Sequence, residues 1–319
     1  MSVRGAARKV RRMLCIVRAG LVCLIALAVA LLFYIVPYRV FLPAAQIAAR
    51  GEGEMRLHFL SVGQGDCTIV EFPDGSALVV DAGDGSFEAN NAIVSYIKGL
   101  NVRSLSLLAT HADIDHYGGF SELLRVFRAD RFYLPVLPSA ASAYRSLLAA
   151  IEREGCKTET LTRYDVIGHA SGAYAVCISP HAVDETDGNS ASTMLYLSYA
   201  GVNILLSADA DAAREEQILS ELELSESLLD SGGYRVRLDE THILKVSHHG
   251  SDNASSKDWL SFLSPEAAVV SCGTGNAYHH PAGGTMARLA ELGTQIYRTD
   301  ELGNVLLSVR DGSYTITYA

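Results

Sequence analysis

Two hydrophobic patterns divide the chain. Between Arg18 and Arg39 run twenty uncharged residues, Ala19 to Tyr38. As a helix rising about 1.5 Å per residue they reach about 30 Å, the thickness of a bilayer's hydrocarbon core. From Met55 onward the apolar runs are short and broken by Gly and Asp. Runs at 56–62, 67–72 and 77–80 predict strands, with turns at Gly63–Gly65 and Asp74–Gly75. Residues 105–109 predict another strand, ending directly at Thr110-His111. A helix follows, with Phe120, Leu123, Leu124 and Phe127 at helical spacing. Tyr144, Leu147, Leu148 and Ile151 share one face of a helix over 142–154, and Gly155 stops it. Strands are predicted at 173–178, 193–199 and 203–207, the last two joined by an Ala200-Gly201 turn. An Ala/Glu/Leu-rich helix covers 212–222. Strands at 243–246 and 267–271 precede a helix over 285–292, closed by Gly293. The end is a hairpin, 305–309 and 314–318, around Asp311-Gly312. There is no repeat period. Strands and helices alternate without strict β-α-β order, which predicts an α+β layered fold.

Charge sharpens the division. The first fifty residues carry eight Lys or Arg and no Asp or Glu. All 36 acidic side chains therefore fall on the remainder, against 18 basic ones, a charge of −18. Arg4, Arg8, Lys9, Arg11, Arg12 and Arg18 precede the apolar run, and positive charge stays cytoplasmic. The expected plan is a basic cytoplasmic segment 1–18, a transmembrane anchor 19–38, a linker 39–54 and a domain 55–319. The domain would be extracytoplasmic on a single-pass protein of the plasma membrane. A cleaved signal peptide would have a shorter apolar core, roughly 7–15 residues. An acidic body does not attract polyanions in bulk, so any phosphate-bearing substrate must be met by a local site or by bound metal. The six cysteines are scattered with no C-x-x-C pair and read as small buried hydrophobes.

The chemistry concentrates in His111-Ala112-Asp113-Ile114-Asp115-His116-Tyr117-Gly118-Gly119. Four metal-capable side chains fall within six residues, right after a strand. The turn can splay His111 and Asp113 toward one ion, and Asp115 and His116 toward another. The two glycines let the backbone turn into a helix.

With Asp81-Ala82-Gly83 upstream, this motif resembles the metallo-β-lactamase fold superfamily. More narrowly, the chain is similar to the C-terminal hydrolase domain of the ComEC-type DNA-internalisation competence proteins. The matching pieces stand in family order over about 55–318: Val62-Gly63-Gln64-Gly65-Asp66, Asp81-Ala82-Gly83, the His111 motif and Asn189-Ser190-Ala191-Ser192. They continue with Leu205-Leu206-Ser207-Ala208-Asp209, Ser247-His248-His249-Gly250-Ser251, Asn276-Ala277-Tyr278-His279-His280-Pro281 and Arg298-Thr299-Asp300. Three departures stand out. The competence proteins carry many membrane helices before this domain, and this chain has one. Ser61 stands where the family has Asp, and Ala208 where the step before the bridging aspartate is Gly. Competence transport itself is not carried over.

The resemblance implies a four-layer αββα sandwich with two divalent metal ions at one edge. Its ligands would be His111, Asp113, Asp115, His116, Asp209 and His248, with Asp209 bridging. Asp211 is a rival better read as a helix cap. Asp81 would orient the ligand loop from behind. Asn189, Ser192, Ser251 and Asn276 would bind substrate, and His249 or His280 would give a proton to the leaving group. Gln64 and Asp66 rim the site without an assigned role. A carboxylate at Asp113, where zinc enzymes of this fold carry His, shifts the set toward manganese, with zinc retained as a candidate. The implied activity is metal-dependent hydrolysis of a phosphodiester, DNA or smaller, by a metal-bound hydroxide. The alternatives are a small or cell-envelope phosphoester, a lactam or lactone, and a non-catalytic metal-stabilised surface module. No protein partner is inferable.

Overall fold

The computed structural model describes residues 3–35, 42–100, 102–168, 171–181, 188–224, 230–231 and 233–318. Residues 36–41, the end of the expected anchor and the start of the expected linker, lie outside them. The chain divides into two units, 1–42 and 43–319.

The first unit is one helix, α1 (Val3–Ile35), so the basic segment and the apolar run form one continuous element. Its stretch Arg11–Leu31 has a mean hydropathy of 2.7 and none of it is buried, so it is long and apolar enough to cross a membrane. That exposure suits a helix whose apolar surface meets lipid rather than a protein core.

In the second unit the apolar runs pair into two sheets. The first, among the described residues, has eight strands: β1 (Met55–Phe59), β2 (Thr68–Glu71), β3 (Ser76–Val80), β4 (Ser104–Leu108), β5 (Arg131–Leu134), β6 (Lys157–Thr160), β16 (Val305–Arg310) and β17 (Ser313–Tyr318). Their order is β17-β16-β1-β2-β3-β4-β5-β6. The second has seven: β7 (Val166–Gly168), β8 (Tyr174–Ser179), β9 (Met194–Tyr199), β10 (Val202–Leu206), β13 (Ile243–Lys245), β14 (Ala267–Val270) and β15 (Gln295–Arg298), ordered β15-β14-β13-β10-β9-β8-β7. A two-residue hairpin, β11 (Asp230–Ser231) and β12 (Tyr234–Arg235), stands apart.

Period-two alternation decides which residues meet. Val202, Ile204 and Leu206 point at the first sheet and pack with Leu57, Val70 and Leu307, while Leu205 points the other way. That second face is covered by α6 (Ala212–Leu224), α7 (Lys257–Leu263) and α8 (Gly283–Glu291), through Ile218, Trp259, Leu260 and Leu289. The outer face of the first sheet carries α2 (Phe87–Leu100), the short α3 (Ile114–Tyr117), α4 (Phe120–Val126) and α5 (Ser142–Glu154). Phe120 meets Phe132 of β5 edge-on at 5.0 Å, and the Tyr96 hydroxyl lies 3.1 Å from His58 of β1. A last turn, α9 (Thr299–Leu302), leads into β16. The result is the expected four-layer αββα arrangement.

Residues 43–54 do not hang free. Ala45 N–H donates to the Ser95 carbonyl (2.9 Å), Ser95 Oγ donates to Pro43 O (2.7 Å), and Arg56 donates to Ala48 O (2.8 Å). Of the stretch 39–54 expected as a linker, residues 43–54 thus belong to the second unit, with Pro43 and Ala45 bonded to Ser95 of α2.

Two parallel blocks position the site. β3, β4 and β5 are parallel neighbours in one sheet, and β10, β13 and β14 in the other. Parallel strands bring all their C-terminal ends to one edge, where loops carry chemistry.

Candidate metal centre

Each candidate ligand follows a strand of those blocks. Asp81 follows β3, the His111 loop follows β4, Asp209 follows β10, and His248 and His249 follow β13. The exits are sharp. Asp81 (φ 60°), Ala208 (48°), His248 (48°) and His249 (54°) all adopt left-handed backbone conformations. For residues with a Cβ that costs of order 1 kcal/mol each, a cost tolerated where it aims a side chain. Ala208 is the position where the family has Gly, and its φ shows why Gly is at ease there.

Asp209 sits among four imidazoles. Its Oδ1 is 3.4 Å from His116 Nε2, and its Oδ2 is 3.6 Å from His248 Nε2, 3.7 Å from His249 Nε2 and 3.9 Å from His111 Nε2. Asp113 Oδ2 approaches His111 Nε2 at 3.7 Å, and Asp115 Oδ2 approaches His249 Nε2 at 3.4 Å. These separations are too long for good hydrogen bonds. The buried Nε2 atoms of His111, His116 and His249 and Oδ1 of Asp209 have no hydrogen-bond partner.

The opposite ring nitrogens of these three histidines are occupied, which fixes their tautomers, whereas His248 Nδ1 is buried without a hydrogen-bond partner. Asp81 is the root. It accepts from Thr110 N–H and Thr110 Oγ1 (both 2.8 Å) and from His116 Nδ1 (2.8 Å). With its own proton given to Asp81, Thr110 Oγ1 is left to accept from His111 Nδ1 at 3.0 Å. His249 Nδ1 donates to Ser271 O at 3.0 Å. Three rings therefore turn Nε2 toward one point, the arrangement that carboxylates and carbonyls behind a ligand impose in metal sites. Burial, reinforced by His116, pushes His111 down to about 4, which keeps this ring neutral and able to ligate. Burial alone would raise Asp209, but His116 and His249 outweigh it and hold its carboxyl well below the usual carboxylate range. Burial alone would lower those two imidazoles, but Asp209 in turn raises them, so they hold protons that a divalent cation would displace. Inward-facing imidazole nitrogens around an ionised carboxylate, orphaned and buried, fit divalent cations.

The side chains divide into two groups about Asp209. Ligand atoms of Asp115, His116 and His249 lie within 4.8 Å of one another, as do those of His111, His116 and Asp209, so His116 is common to both groups. Asp113 approaches His111, and His248 approaches Asp209 Oδ2. The sequence reading pairs His111 with Asp113 and Asp115 with His116; in the structure His116 also lies beside His111. The histidine pair differs from expectation: His249, expected as a proton donor to the leaving group, has its Nε2 3.7 Å from Asp209 Oδ2, beside that of His248 at 3.6 Å. The reason is the left-handed pair of backbone conformations, which swings both rings to the same side.

The other expected residues are placed as follows. His280 lies just outside, its ring 5.6 Å from His248 and stacked at 6.3 Å on His249, with a buried, unpartnered Nδ1. Ser192 is fully buried and its Oγ is also unpartnered. Asn189 is half-buried, one turn before it, and its carbonyl accepts from Ser192 N–H at 3.0 Å. Ser251 Oγ accepts from Asn253 N–H (3.3 Å). Asn276 corrects its expected role. Its amide donates to Gly273 O and His280 O, and its Oδ1 accepts from the N–H groups of Tyr278 and His280, so the side chain is spent on closing its own loop. Asp211 accepts from Arg214 N–H at 3.0 Å, as a cap does. Gly118 (φ −56°) and Gly119 (−83°) are not needed for a turn. A Cβ on Gly119 would lie 2.2 Å from Ala82 O, and one on Gly118 2.3 Å from Asp84 C, so they allow the ligand loop to press on the Asp81 turn. Lys245 is a residue that the sequence reading passes over. Its signal is a lysine inside the apolar run Ile243-Leu244-Lys245-Val246.

Residues 60–155 match the Metallo-beta-lactamase superfamily. The ComE operon protein 3 of Bacillus subtilis is 26% identical over 270 residues, covering 80% of this chain and 33% of that protein. The competence protein ComA of Neisseria gonorrhoeae is 27% identical over 272 residues, 84% of this chain and 35% of its own. The chain thus spans about a third of the length of the curated relatives it matches. Among solved structures, CmlA, a diiron β-hydroxylase from Streptomyces venezuelae, superposes with a TM-score of 0.51 at 13% identity, over 86% of this chain and 55% of that one, a likeness of fold alone. Family match, fold and ligand cluster agree: residues 60–155 match the metallo-β-lactamase superfamily, most of the chain is similar to the competence proteins, and the site has the framework of a metal-dependent hydrolase.

Proposed function

We propose that the domain hydrolyses phosphodiesters at a dinuclear metal centre built on Asp209, held at the outer face of a membrane by α1. The observation that carries the reading is Asp209 within 3.9 Å of four imidazole Nε2 atoms, three of them buried and without hydrogen bonds. His116, Asp115 and His249 would hold one ion, His111, Asp113 and His248 the other, and Asp209 both. Divalent ions held there would supply Lewis acidity and an activated water. Asp209 keeps negative charge between them. Asp81, Thr110 and Ser271 hold the rings so that only Nε2 faces inward. His280 stands beside the cluster with a buried, unpartnered Nδ1 and would pass a proton to the leaving oxygen. Burial, with His248 and His249 beside it, lowers its pKa, so the donor role belongs to its protonated fraction. Ser192 Oγ offers a hydrogen bond to a phosphoryl oxygen. Three carboxylates in the ligand set favour manganese over zinc.

The placement outside follows from the basic residues ahead of a single apolar helix. The charge of −18 on the remainder favours capture of phosphate at the centre over tracking along a duplex. For the same reason a small phosphoester is the second reading. The full chain in detergent, loaded with manganese or zinc, is assayed on bis-p-nitrophenyl phosphate, single-stranded DNA and duplex DNA. Hydrolysis lost in Asp209→Ala supports the proposal. Metal-loaded protein inert on every phosphodiester removes it.

A further inference from the structure

The Gly-Gln-Gly-Asp loop, without a role in the sequence, leads to a buried ion pair behind the centre. Lys245 Nζ donates to Asp66 Oδ2 at 2.8 Å and to Val246 O at 3.1 Å. Both side chains are buried, Lys245 at 2% and Asp66 at 4% exposure. A lysine in a central strand is costly unless paired, and here the partner comes from the opposite sheet. Asp66 is tied to the ligand side of the centre on three fronts. Its N–H donates to Asp115 O (3.1 Å), and its own carbonyl accepts from Gly83 N–H (2.8 Å) in the turn after Asp81. Its second carboxylate oxygen, Oδ1, has no hydrogen-bond partner and lies 3.9 Å from His249 Nδ1. Gly65 permits the approach, since a Cβ there would fall 2.6 Å from Asp115 O. The pair is therefore oriented: the ammonium sits in β13, and the free carboxylate oxygen faces the ring of a ligand histidine.

We propose that Asp66, fixed by Lys245, is a positioning residue of the metal centre, which sets the loop of Asp115 and the ring and field of His249 so that the Asp115–His116–His249 side takes its ion. The proposal rests on the metal reading above but not on the substrate. Groups behind metal ligands carry about 10–100-fold in affinity.

The test is manganese titration of the full chain in detergent, following free ion by electron paramagnetic resonance, beside thermal unfolding of the metal-free protein. Asp66→Asn leaves Lys245 uncompensated, so it should lower stability and weaken one of two ions by about 10–100-fold. Asp66→Asn/Lys245→Met removes both charges. It should recover stability yet keep the weakened ion, which a mere brace between sheets would not do. If the double variant binds both ions like the wild type, the proposal is overturned and the pair is structural. Should the double variant not fold, Asp66→Asn alone decides: unchanged affinity overturns the proposal. A wild-type chain that takes up no manganese removes the centre itself, and the proposal with it. Failure to cleave phosphodiesters touches neither readout.

Discussion

Asp209 faces four imidazoles, whereas His280 touches only their outer edge, and this difference separates their expected variants. His280→Ala should leave metal content intact and lower turnover by roughly 10²–10⁴-fold, the usual weight of a positioned proton donor. On bis-p-nitrophenyl phosphate, whose leaving group needs little protonation, the loss should shrink. Equal losses on that substrate and on a DNA oligonucleotide would remove the donor role, and metal loss would move His280 into the ligand set. Much of the centre is legible in the chain because its ligands sit in compact motifs directly after apolar runs: His111 to His116, Asp209, His248-His249. What remains hidden depends on contacts far apart in sequence. Lys245 and Asp66 are 179 residues apart. The choice between His248 and His249 depends on φ, which neighbouring residue types do not reveal. Asn276 is an acceptable anion donor by type, and only its loop shows that its amide is already engaged.

At the scale of elements, apolar runs place most strands to within a residue or two, since each buries at least one face. β6 escapes that reading because Lys157-Thr158-Glu159-Thr160 is exposed throughout and exists as a strand only by pairing with β5. α2 is masked by Asn90, Asn91 and Ser95 within its apolar spacing. Packing between elements carries two predictions. Gly119 is the N-cap of α4, where Ala is worse than Gly, so Gly119→Ala gains nothing from helix propensity. The new Cβ, 2.2 Å from Ala82 O, must instead push the ligand loop off the Asp81 turn, and overpacking of this kind costs about 1–3 kcal/mol. A net loss in urea unfolding and weaker metal binding are expected; a stabilised variant would contradict the contact. The second concerns Glu215 of α6, which accepts from the N–H groups of Ser255 (2.7 Å) and Ser256 (2.8 Å) at the start of α7. Burial outweighs those two bonds and pushes its carboxyl up to about 7. An acid whose folded pKa is raised holds its proton while the unfolded chain, near 4.5, has lost it. Stability is therefore highest below about 4.5 and falls as pH rises toward 7, by roughly 3 kcal/mol at 1.36 kcal/mol per pK unit. Relative to Glu215→Gln, the wild type should lose that amount between pH 4.5 and pH 7 in urea unfolding. A difference between the two that stays flat with pH would contradict the burial argument.

Over the whole molecule, charge and hydropathy are segregated: an apolar helix with basic residues ahead of it, then an acidic body whose parallel strand ends collect carboxylates and imidazoles at one edge. Two cations would offset part of that negative field where a phosphate must approach. In the proposed orientation, with the basic N-terminus inside, protease added to spheroplasts should digest residues 43–319; a protected body would reverse the orientation. The account stands most directly on the metal content of the centre. Elemental analysis of the full chain after loading with manganese or zinc should give two ions per chain, and Asp209→Ala, folded by circular dichroism, should lose at least one. A wild-type stoichiometry that stays at zero, or an Asp209→Ala variant that still holds two, would contradict it.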